Sequence, residues 1–297
     1  CNHVLAIGAF IFDIFINETI FPLCNGICSI IANDSVINDP ESLSDIIEKY
    51  RIDIIHTTPS RLMYYLNNHS FRMSIFKLKI ILSAGESLNP DVLEIIHNFT
   101  TAKIYNGYGP SETTIGCTYS LVNNSKVITI GYPIANTQIY ILDKNRKPLP
   151  IGVAGELCIS GDGVGKGYLN RPELTAEKFI PNPFIEDKTM YRTGDLARWL
   201  EDGEIEYLGR IDTQVKIRGQ RIELGEIESV MSSFDGMHMT AATVKRDENG
   251  RQYLVGYYTA DFDIDEKALR RHLSAKLPKY MVPNYYVHLD EMPMTAS

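Results

Sequence analysis

The chain has 297 residues, of which 44% are hydrophobic and 22% charged, and its formal net charge is −8. This length predicts two or three domains, and the acidic balance argues against a nucleic-acid surface or an anionic membrane surface as a partner. No apolar run approaches the roughly 20 residues that span a bilayer, and the first residues lack a basic signal-peptide region. We therefore expect a cytoplasmic protein, with its five scattered cysteines as reduced thiols rather than metal ligands.

Helical and strand patterns alternate from residue 1 to about residue 130. A helix is expected after Asp13, kinked at Pro22, and further helices and buried strands follow up to a strand at 102–106. Strands that alternate with helices predict an α/β layer with a mostly parallel sheet.

From 131 to 211 the pattern changes to short strands separated by Gly, Pro and Asn turns, which is typical of a small distorted β-barrel. Beyond Asp212, alternating and helical spacings predict a separate small α+β unit. The expected domains are therefore 1–130, 131–211 and 212–297, with the best boundary at the polar break 210–214. Because the sequence starts at Cys1 and stops inside a motif at Ser297, we expect a piece of a longer protein.

The segment 203–228, GEIEYLGRIDTQVKIRGQRIELGEIE, combines a strand, a charged break, a second strand, a turn and a helix with acidic residues in its first turn. By pattern alone it is a surface loop that joins two αβ units. Over some twenty positions, however, it resembles the hinge motif of the adenylate-forming superfamily, and specifically of the amino-acid-activating (adenylation) domains of nonribosomal peptide synthetases. The resemblance implies that a large N-terminal part and a small C-terminal part pivot about Asp212.

The segment 106–114, NGYGPSETT, makes a tight turn at the C-terminal end of a predicted strand, where open α/β sheets bind ligands. An aromatic side chain there can stack on a base, a hydroxyl can bind phosphate and a carboxylate can hold a divalent cation, although an ordinary Gly-Pro loop with a capping Glu also fits. The segment resembles the adenine and Mg²⁺ loop of the same family, with Ser111 where threonine is usual. The resemblance implies nucleotide contacts from Asn106, Tyr108, Gly109 and Ser111, and a catalytic, magnesium-binding role for Glu112.

The segment 191–196, YRTGDL, puts Asp195 just after a tight turn, where a carboxylate can accept both hydroxyls of a ribose or can form an Asx-turn. It resembles the ribose-binding motif of the family, which implies that Tyr207 and Arg210 line the same nucleotide site and that Asp195 and Arg210 support catalysis. The glycine-rich segment 155–168, GELCISGDGVGKGY, has neither P-loop nor dinucleotide-binding spacing, so we interpret its glycines as structural.

Asp13 follows the apolar run FIF and by pattern is a helix N-cap. In the resembling family the matching Asp binds the α-ammonium group of the substrate. Position in the same motifs implies that the substrate side chain faces Ile14, Asn17, His56, Leu82, Ala84, Gly107, Ile115 and Gly116. Gly107 and Gly116 leave volume, and Asn17 and His56 offer hydrogen bonds, unless His56 merely satisfies one in the core. No carboxylate is present for a second ammonium group. We expect a medium-to-long, polar, uncharged side chain, like that of N-hydroxylated or N-acylated ornithine, glutamine or a hydroxyaromatic amino acid.

The resemblance covers essentially the whole chain, including the structural segment 277–283, LPKYMVP. It implies conversion of an amino acid and MgATP into an aminoacyl-adenylate, then transfer to the phosphopantetheine thiol of a peptidyl carrier protein domain, with a condensation domain in the same synthetase. The phosphate loop of the family and its catalytic lysine, expected just beyond 292–297, are not within the sequence, so we expect no turnover by this piece alone. Two alternatives stay open: an acyl- or aryl-CoA ligase of the same superfamily, which Asp13 disfavours, and a non-catalytic nucleotide-binding or carrier-docking protein.

Overall fold

The computed structural model describes residues 1–123, 125, 127–212, 214–217, 219–247, 252–262 and 264–293. It divides into two compact units, Cys1–Ile211 and Asp212–Ser297. Thr213 of the polar break and most of the final motif at 292–297 lie outside the described residues. A further division of the first unit at residue 130 remains a proposal.

The first part of unit 1 is a seven-stranded sheet with the strand order β2-β1-β3-β4-β5-β6-β7. Strands β1 to β5 are parallel, whereas β6 and β7 join antiparallel at one edge. This confirms the predicted α/β layer. The strands are β1 (His3–Ala6), β2 (Cys28–Ile31), β3 (Ile54–Thr57), β4 (Ile80–Ala84), β5 (Lys103–Tyr108), β6 (Thr118–Leu121) and β7 (Tyr132–Pro133).

Helices connect the parallel strands and form a core against one face of the sheet, around Leu43, Ile55 and Ile81. Asp39, Thr58 and other polar N-caps accept hydrogen bonds from the first turns of these helices. None of the helices in the described part of the chain has the length and apolar character needed to cross a membrane. The helices are α1 (Ile14–Glu18), α2 (Ile20–Cys24), α3 (Asp34–Ile37), α4 (Pro40–Tyr50), α5 (Pro59–Leu66), α6 (His69–Ile75) and α7 (Pro90–His97).

The helix predicted after Asp13 is two short helices, α1 and α2, and the predicted kink at Pro22 was wrong. The chain breaks at Thr19, which leaves helical geometry with φ −123° and donates its hydroxyl to the Phe15 carbonyl oxygen at 2.6 Å. Such a side-chain hydrogen bond competes with the helical ladder. Pro22 lies in the first turn of α2, where a missing N–H removes no helical hydrogen bond.

The region predicted as a distorted β-barrel contains a five-stranded antiparallel sheet with the order β10-β11-β9-β8, in which β12 also pairs with β11. Strand β11 pairs with three neighbours because β10 and β12 share one of its edges, β10 along 189–191 and β12 along 195–199, while β9 takes the other edge. Bulges interrupt the ladders to β9 and β12. The elements are β8 (Thr137–Leu142), β9 (Gly155–Gly161), α8 (Pro172–Lys178), β10 (Phe179–Pro181), β11 (Thr189–Trp199) and β12 (Ile205–Arg210).

Unit 2 has its own core, in which Ile227, Met231 and Leu273 are fully buried between two helices and a three-stranded sheet. Strands β15 and β16 are antiparallel, and β17 joins β16 in parallel. This confirms the predicted α+β character. The elements are β13 (Val215–Ile217), β14 (Gln220–Ile222), α9 (Leu224–Ser232), β15 (Met237–Arg246), β16 (Gln252–Ala260), α10 (Glu266–Lys276) and β17 (Tyr285–His288).

Candidate functional site

In unit 1, the buried carboxylate of Asp195 accepts hydrogen bonds from three side chains. Asp195 is 3% exposed. Tyr108, the last residue of β5, donates its hydroxyl to Asp195 Oδ2 at 2.5 Å, and Arg210, the last residue of β12, donates from Nη1 to Oδ1 at 2.9 Å. The Tyr207 hydroxyl lies 3.4 Å from Oδ1. The structure thus brings together four of the residues that the resemblance assigns to the nucleotide.

The position of Asp195 depends on a bulge in β11 rather than on a turn between elements. The ladder between β11 and β9 shifts between Arg192 and Asp195, and Gly194 has a φ of 72°. The Thr193 hydroxyl donates to the Leu157 carbonyl oxygen and accepts the Asp195 backbone N–H at 2.9 Å. Within the described part of the chain, the carboxylate accepts its hydrogen bonds from the side chains of Tyr108, Tyr207 and Arg210, which does not support the Asx-turn interpretation.

Tyr108 lies beside a buried ion pair between Asp195 and Arg210. Burial and then the negative charge of Asp195 raise the pKa of Tyr108 well above its usual value, so the phenol keeps its proton and donates. The Arg210 side chain is 12% exposed and the Asp195 side chain 4%. At such burial each charge needs the other, because an unpaired one would be costly to desolvate.

Asn106 lies on the same face of β5 as Tyr108, since strand residues two apart point the same way. It is 5% exposed, and its amide nitrogen donates to the Thr129 carbonyl oxygen at 2.7 Å. The Thr129 hydroxyl in turn donates to Glu204 at 2.5 Å. In this structure Asn106 therefore ties β5 to the loop before β7, which pattern reasoning did not foresee.

Glu112 lies in a one-turn 3₁₀ helix, Ser111–Thr113, directly after β5. Its carboxylate accepts the Tyr168 hydroxyl at 2.6 Å, and its carbonyl oxygen accepts the Gly165 N–H at 2.8 Å. Ser111 is exposed. The glycine-rich segment 155–168 thus supports the loop that carries Glu112, in line with its structural interpretation. The sequence analysis did not identify Tyr168 as a site residue, although it is the last residue of that segment.

The backbone between the 3₁₀ helix and β6 is strained. Thr114 and Ile115 are β-branched and have φ values of 64° and 70°. Such left-handed geometry costs on the order of 1–3 kcal/mol per residue and is often found at functional sites. At Gly109 a Cβ would lie 2.3 Å from the Ile115 carbonyl oxygen, so glycine is required where the loop folds back on itself. The predicted pocket residue Ile115 is therefore held in place by backbone packing.

The opposite face of the sheet carries four of the predicted substrate residues. The strand register sets His56 beside Leu82, and Ala84 beside Gly107. His56 is 5% exposed, and the described residues provide no hydrogen-bond partner for either ring nitrogen. Burial lowers the pKa of His56 to about 4, so the ring is neutral at pH 7. A role for His56 in a core hydrogen bond is not supported.

Asn17 of α1 and Asp13 just before α1 both lie near Tyr119 of β6, whereas the Ile14 side chain lies against Gly8. Asp13 precedes the helix but its side chain makes no capping hydrogen bond, so the N-cap interpretation is not supported. The Asn17 side chain lowers the pKa of Tyr119, against the larger raising effect of burial, so it lies near the hydroxyl of this β6 residue, which pattern reasoning missed.

The expectation that Gly107 and Gly116 leave open volume was wrong. A Cβ at Gly107 would lie 2.7 Å from the Tyr119 ring, and one at Gly116 would lie 2.3 Å from the Tyr119 hydroxyl oxygen. Gly107 and Tyr119 are directly paired across β5 and β6, so the ring lies over the glycine. The contact between Tyr119 and Gly107 can be recognised only once the pairing of β5 with β6 is known.

Two further observations bear on the predicted hinge and metal. Asp212 is exposed, accepts the Gln214 N–H at 3.1 Å and is the first residue of unit 2. No group of three or more His, Cys, Asp or Glu side chains in the described ranges is placed to hold a metal ion by itself.

Comparisons with known proteins agree with the resemblance seen in the sequence. A family model described as AMP-binding enzyme matches residues 2–169, and one described as AMP-binding enzyme C-terminal domain matches residues 226–297. Tyrocidine synthase 3 of Brevibacillus parabrevis is 44% identical over 299 residues, which cover 100% of this chain and 5% of that protein. The chain therefore spans a small part of the length of this curated relative.

Two solved structures extend the comparison. A four-domain nonribosomal peptide synthetase bound to AMP and glycine is 37% identical with a TM-score of 0.67, over 99% of this chain and 22% of that one. The Vibrio cholerae adenylation domain AlmE, in complex with glycyl-adenosine-5'-phosphate, is 25% identical with a TM-score of 0.87, over 98% of this chain and 56% of that one.

Proposed function

Because this chain belongs to the AMP-binding enzyme family, we propose that it supplies the nucleotide and amino-acid sites of an adenylation domain in a nonribosomal peptide synthetase. The reaction joins the carboxylate of an amino acid to the α-phosphate of ATP and releases pyrophosphate. The observation that carries the proposal is the convergence of Tyr108, Asp195 and Arg210 from three strands of unit 1. Support comes from relatives whose structures hold AMP with glycine, or glycyl-adenosine-5'-phosphate.

The ribose of ATP would bind Asp195 at one open acceptor position and at a second one that a present contact gives up. A carboxylate accepts about four hydrogen bonds, and three acceptor positions are taken, two of them on Oδ1. A ribose diol needs one acceptor position on each carboxylate oxygen if both of its hydroxyls bind the same carboxylate. The Tyr207 contact at 3.4 Å is the longest of the three and is the one expected to give way. Arg210 remains to balance the charge.

The polyphosphate and its Mg²⁺ would lie against Glu112. Mg²⁺ is usually held by one or two carboxylates together with substrate phosphates, so a single carboxylate on a supported loop fits it. When bound, the ion would offset the negative charge of the phosphates. Tyr168, whose hydroxyl donates to Glu112 at 2.6 Å, would hold the carboxylate in one orientation. The exposed Ser111 is the nearby hydroxyl donor in the same turn.

The amino acid would lie on the other face of β5. There Asp13, whose carboxylate is not used as a helix cap, is available for the α-ammonium group. A neutral His56 next to Leu82 offers a hydrogen bond to an uncharged polar side chain, while a second ammonium group would find no carboxylate among the predicted pocket residues. These features favour a polar, uncharged side chain.

After adenylation, the acyl group would pass to the phosphopantetheine thiol of a peptidyl carrier protein domain, and a condensation domain of the same synthetase would use the product. The division of the chain at Ile211–Asp212 suits an enzyme that carries out two half-reactions with two bodies. Asp212 would then be the hinge residue.

The proposal is tested by ATP–pyrophosphate exchange in the full-length protein that contains this chain. Asp195→Asn should raise the KM for ATP by at least tenfold with little effect on the KM for the amino acid. Asp13→Asn should raise the KM for the amino acid by at least tenfold with little effect on the KM for ATP. Glu94→Gln, an exposed change on α7, is the control. Exchange that depends on a simple aryl or fatty acid rather than on an amino acid would support the CoA-ligase alternative and refute the proposal.

A further inference from the structure

Tyr119 lies beside two of the predicted amino-acid-site residues, Gly107 and Gly116, although no motif marks it. It lies on β6 opposite Gly107, one strand beyond the row formed by Ala84 and Gly107. Its ring fills the room beside Gly107, and its hydroxyl fills the room beside Gly116. Tyr119 thus occupies the space that the two glycines would otherwise add to the pocket.

The hydroxyl end of Tyr119 lies near α1. Burial raises the pKa of Tyr119, the Asn17 side chain on α1 lowers it, and Cys117 and Asp13 raise it by smaller amounts. The phenol is therefore neutral at pH 7.

We propose that Tyr119 is a specificity-determining residue of the amino-acid site, which limits the length of the substrate side chain on the side of Gly107 and Gly116. This inference rests on the proposed function. It changes the expected substrate class from medium-to-long to medium-sized polar side chains. Within that class, the neutral ring of His56 provides the hydrogen bond and Tyr119 forms the wall beside Gly107 and Gly116.

The test compares relative kcat/KM values for a panel of amino acids, measured by ATP–pyrophosphate exchange in the full-length protein. Tyr119→Ala opens a space the size of a phenol ring, so the preference for long over medium side chains should rise by about tenfold or more, since even one methylene group can change discrimination that much. Tyr119→Phe keeps the ring and should keep the size preference of the parent. Tyr64→Ala, which truncates an exposed tyrosine on α5, is the matched control.

A merely structural role predicts a different result. In that case kcat/KM falls by the same factor for every amino acid, and the ratio between long and medium side chains stays at the parent value, which would overturn the inference. If Tyr119→Ala fails to fold by circular dichroism, Tyr119→Leu provides the same comparison with a smaller cavity and should shift the ratio in the same direction. Absence of amino-acid-dependent exchange in the parent refutes the proposed function itself, whereas exchange with an unmoved ratio refutes only the role of Tyr119.

Discussion

Replacing Glu18 with glutamine is expected to stabilise unit 1 at alkaline pH. Glu18 ends α1 and is 1% exposed. Its Oε2 accepts the Gly8 N–H at 2.8 Å, whereas no described residue provides a hydrogen bond to Oε1. Burial raises the pKa of Glu18 from 4.5 to about 7, against the lowering effects of the Gly8 and Ile7 backbone and the Arg61 charge. Tyr65, which lies on α5 together with Arg61, stays neutral because burial raises its pKa to about 12.

The sign of the pH dependence follows from these values. Between pH 4.5 and about 7 the folded chain keeps a proton on Glu18 that the unfolded chain loses, so the free energy of unfolding falls as the pH rises. Above about pH 7 both states are ionised and the loss is complete. At about 1.36 kcal/mol per pH unit, the full loss is about 3 kcal/mol. Glutamine cannot ionise and can still accept the Gly8 N–H, so the variant should lack this dependence.

The assay is urea unfolding at pH 5 and pH 8, followed by the fluorescence of Trp199. It is the one tryptophan of the sequence and lies on β11 in unit 1. The parent should lose about 2–3 kcal/mol more stability than Glu18→Gln between the two pH values, and Glu94→Gln should behave like the parent. Equal pH dependence in the parent and Glu18→Gln would show that the buried carboxyl does not titrate as reasoned.

Three further predictions concern the loop and the hinge. Tyr168→Phe removes the hydroxyl that donates to Glu112, so the Mg²⁺ concentration for half-maximal exchange should rise about tenfold; an unchanged magnesium curve would contradict the orienting role. Gly109→Ala places a Cβ against the Ile115 carbonyl oxygen and should lower the stability of unit 1 by about 1–3 kcal/mol in the Trp199 assay, unlike Gly225→Ala, where a Cβ meets nothing within 4 Å. Asp212→Pro should leave pyrophosphate exchange intact but slow carrier loading, and equal loss of both half-reactions would argue against a hinge.

Features set by short stretches of sequence were predictable. The alternation of strands and helices gave the parallel sheet, and turns rich in Gly and Pro at strand ends marked the loop around Tyr108 and Glu112. Asp195 was found because its motif is contiguous, although the bulge at Gly194 that aims it into the cluster was not foreseen. The roles of these residues stay predictions until they are measured.

Features that depend on contacts between distant segments were not predictable. Tyr119 enters the site only because β5 and β6 pair in a register that sets it opposite Gly107. Glu18 looks like an ordinary polar helix residue until the fold buries it against the Gly8 backbone. The break at Thr19 results from a side-chain hydrogen bond to the Phe15 carbonyl oxygen, whose strength relative to the helical ladder no periodicity reveals.

The central claim, that this chain provides the site of an amino-acid adenylation reaction, is tested most directly by detecting the product. The full-length protein that contains the chain is incubated with MgATP and single amino acids, and the adenylate is identified by mass spectrometry. The predicted result is an aminoacyl-AMP that forms with a medium-sized, polar, uncharged amino acid and falls by about tenfold or more in Asp195→Asn at sub-saturating ATP. Formation of an acyl-adenylate only from acids without an α-amino group would contradict the claim.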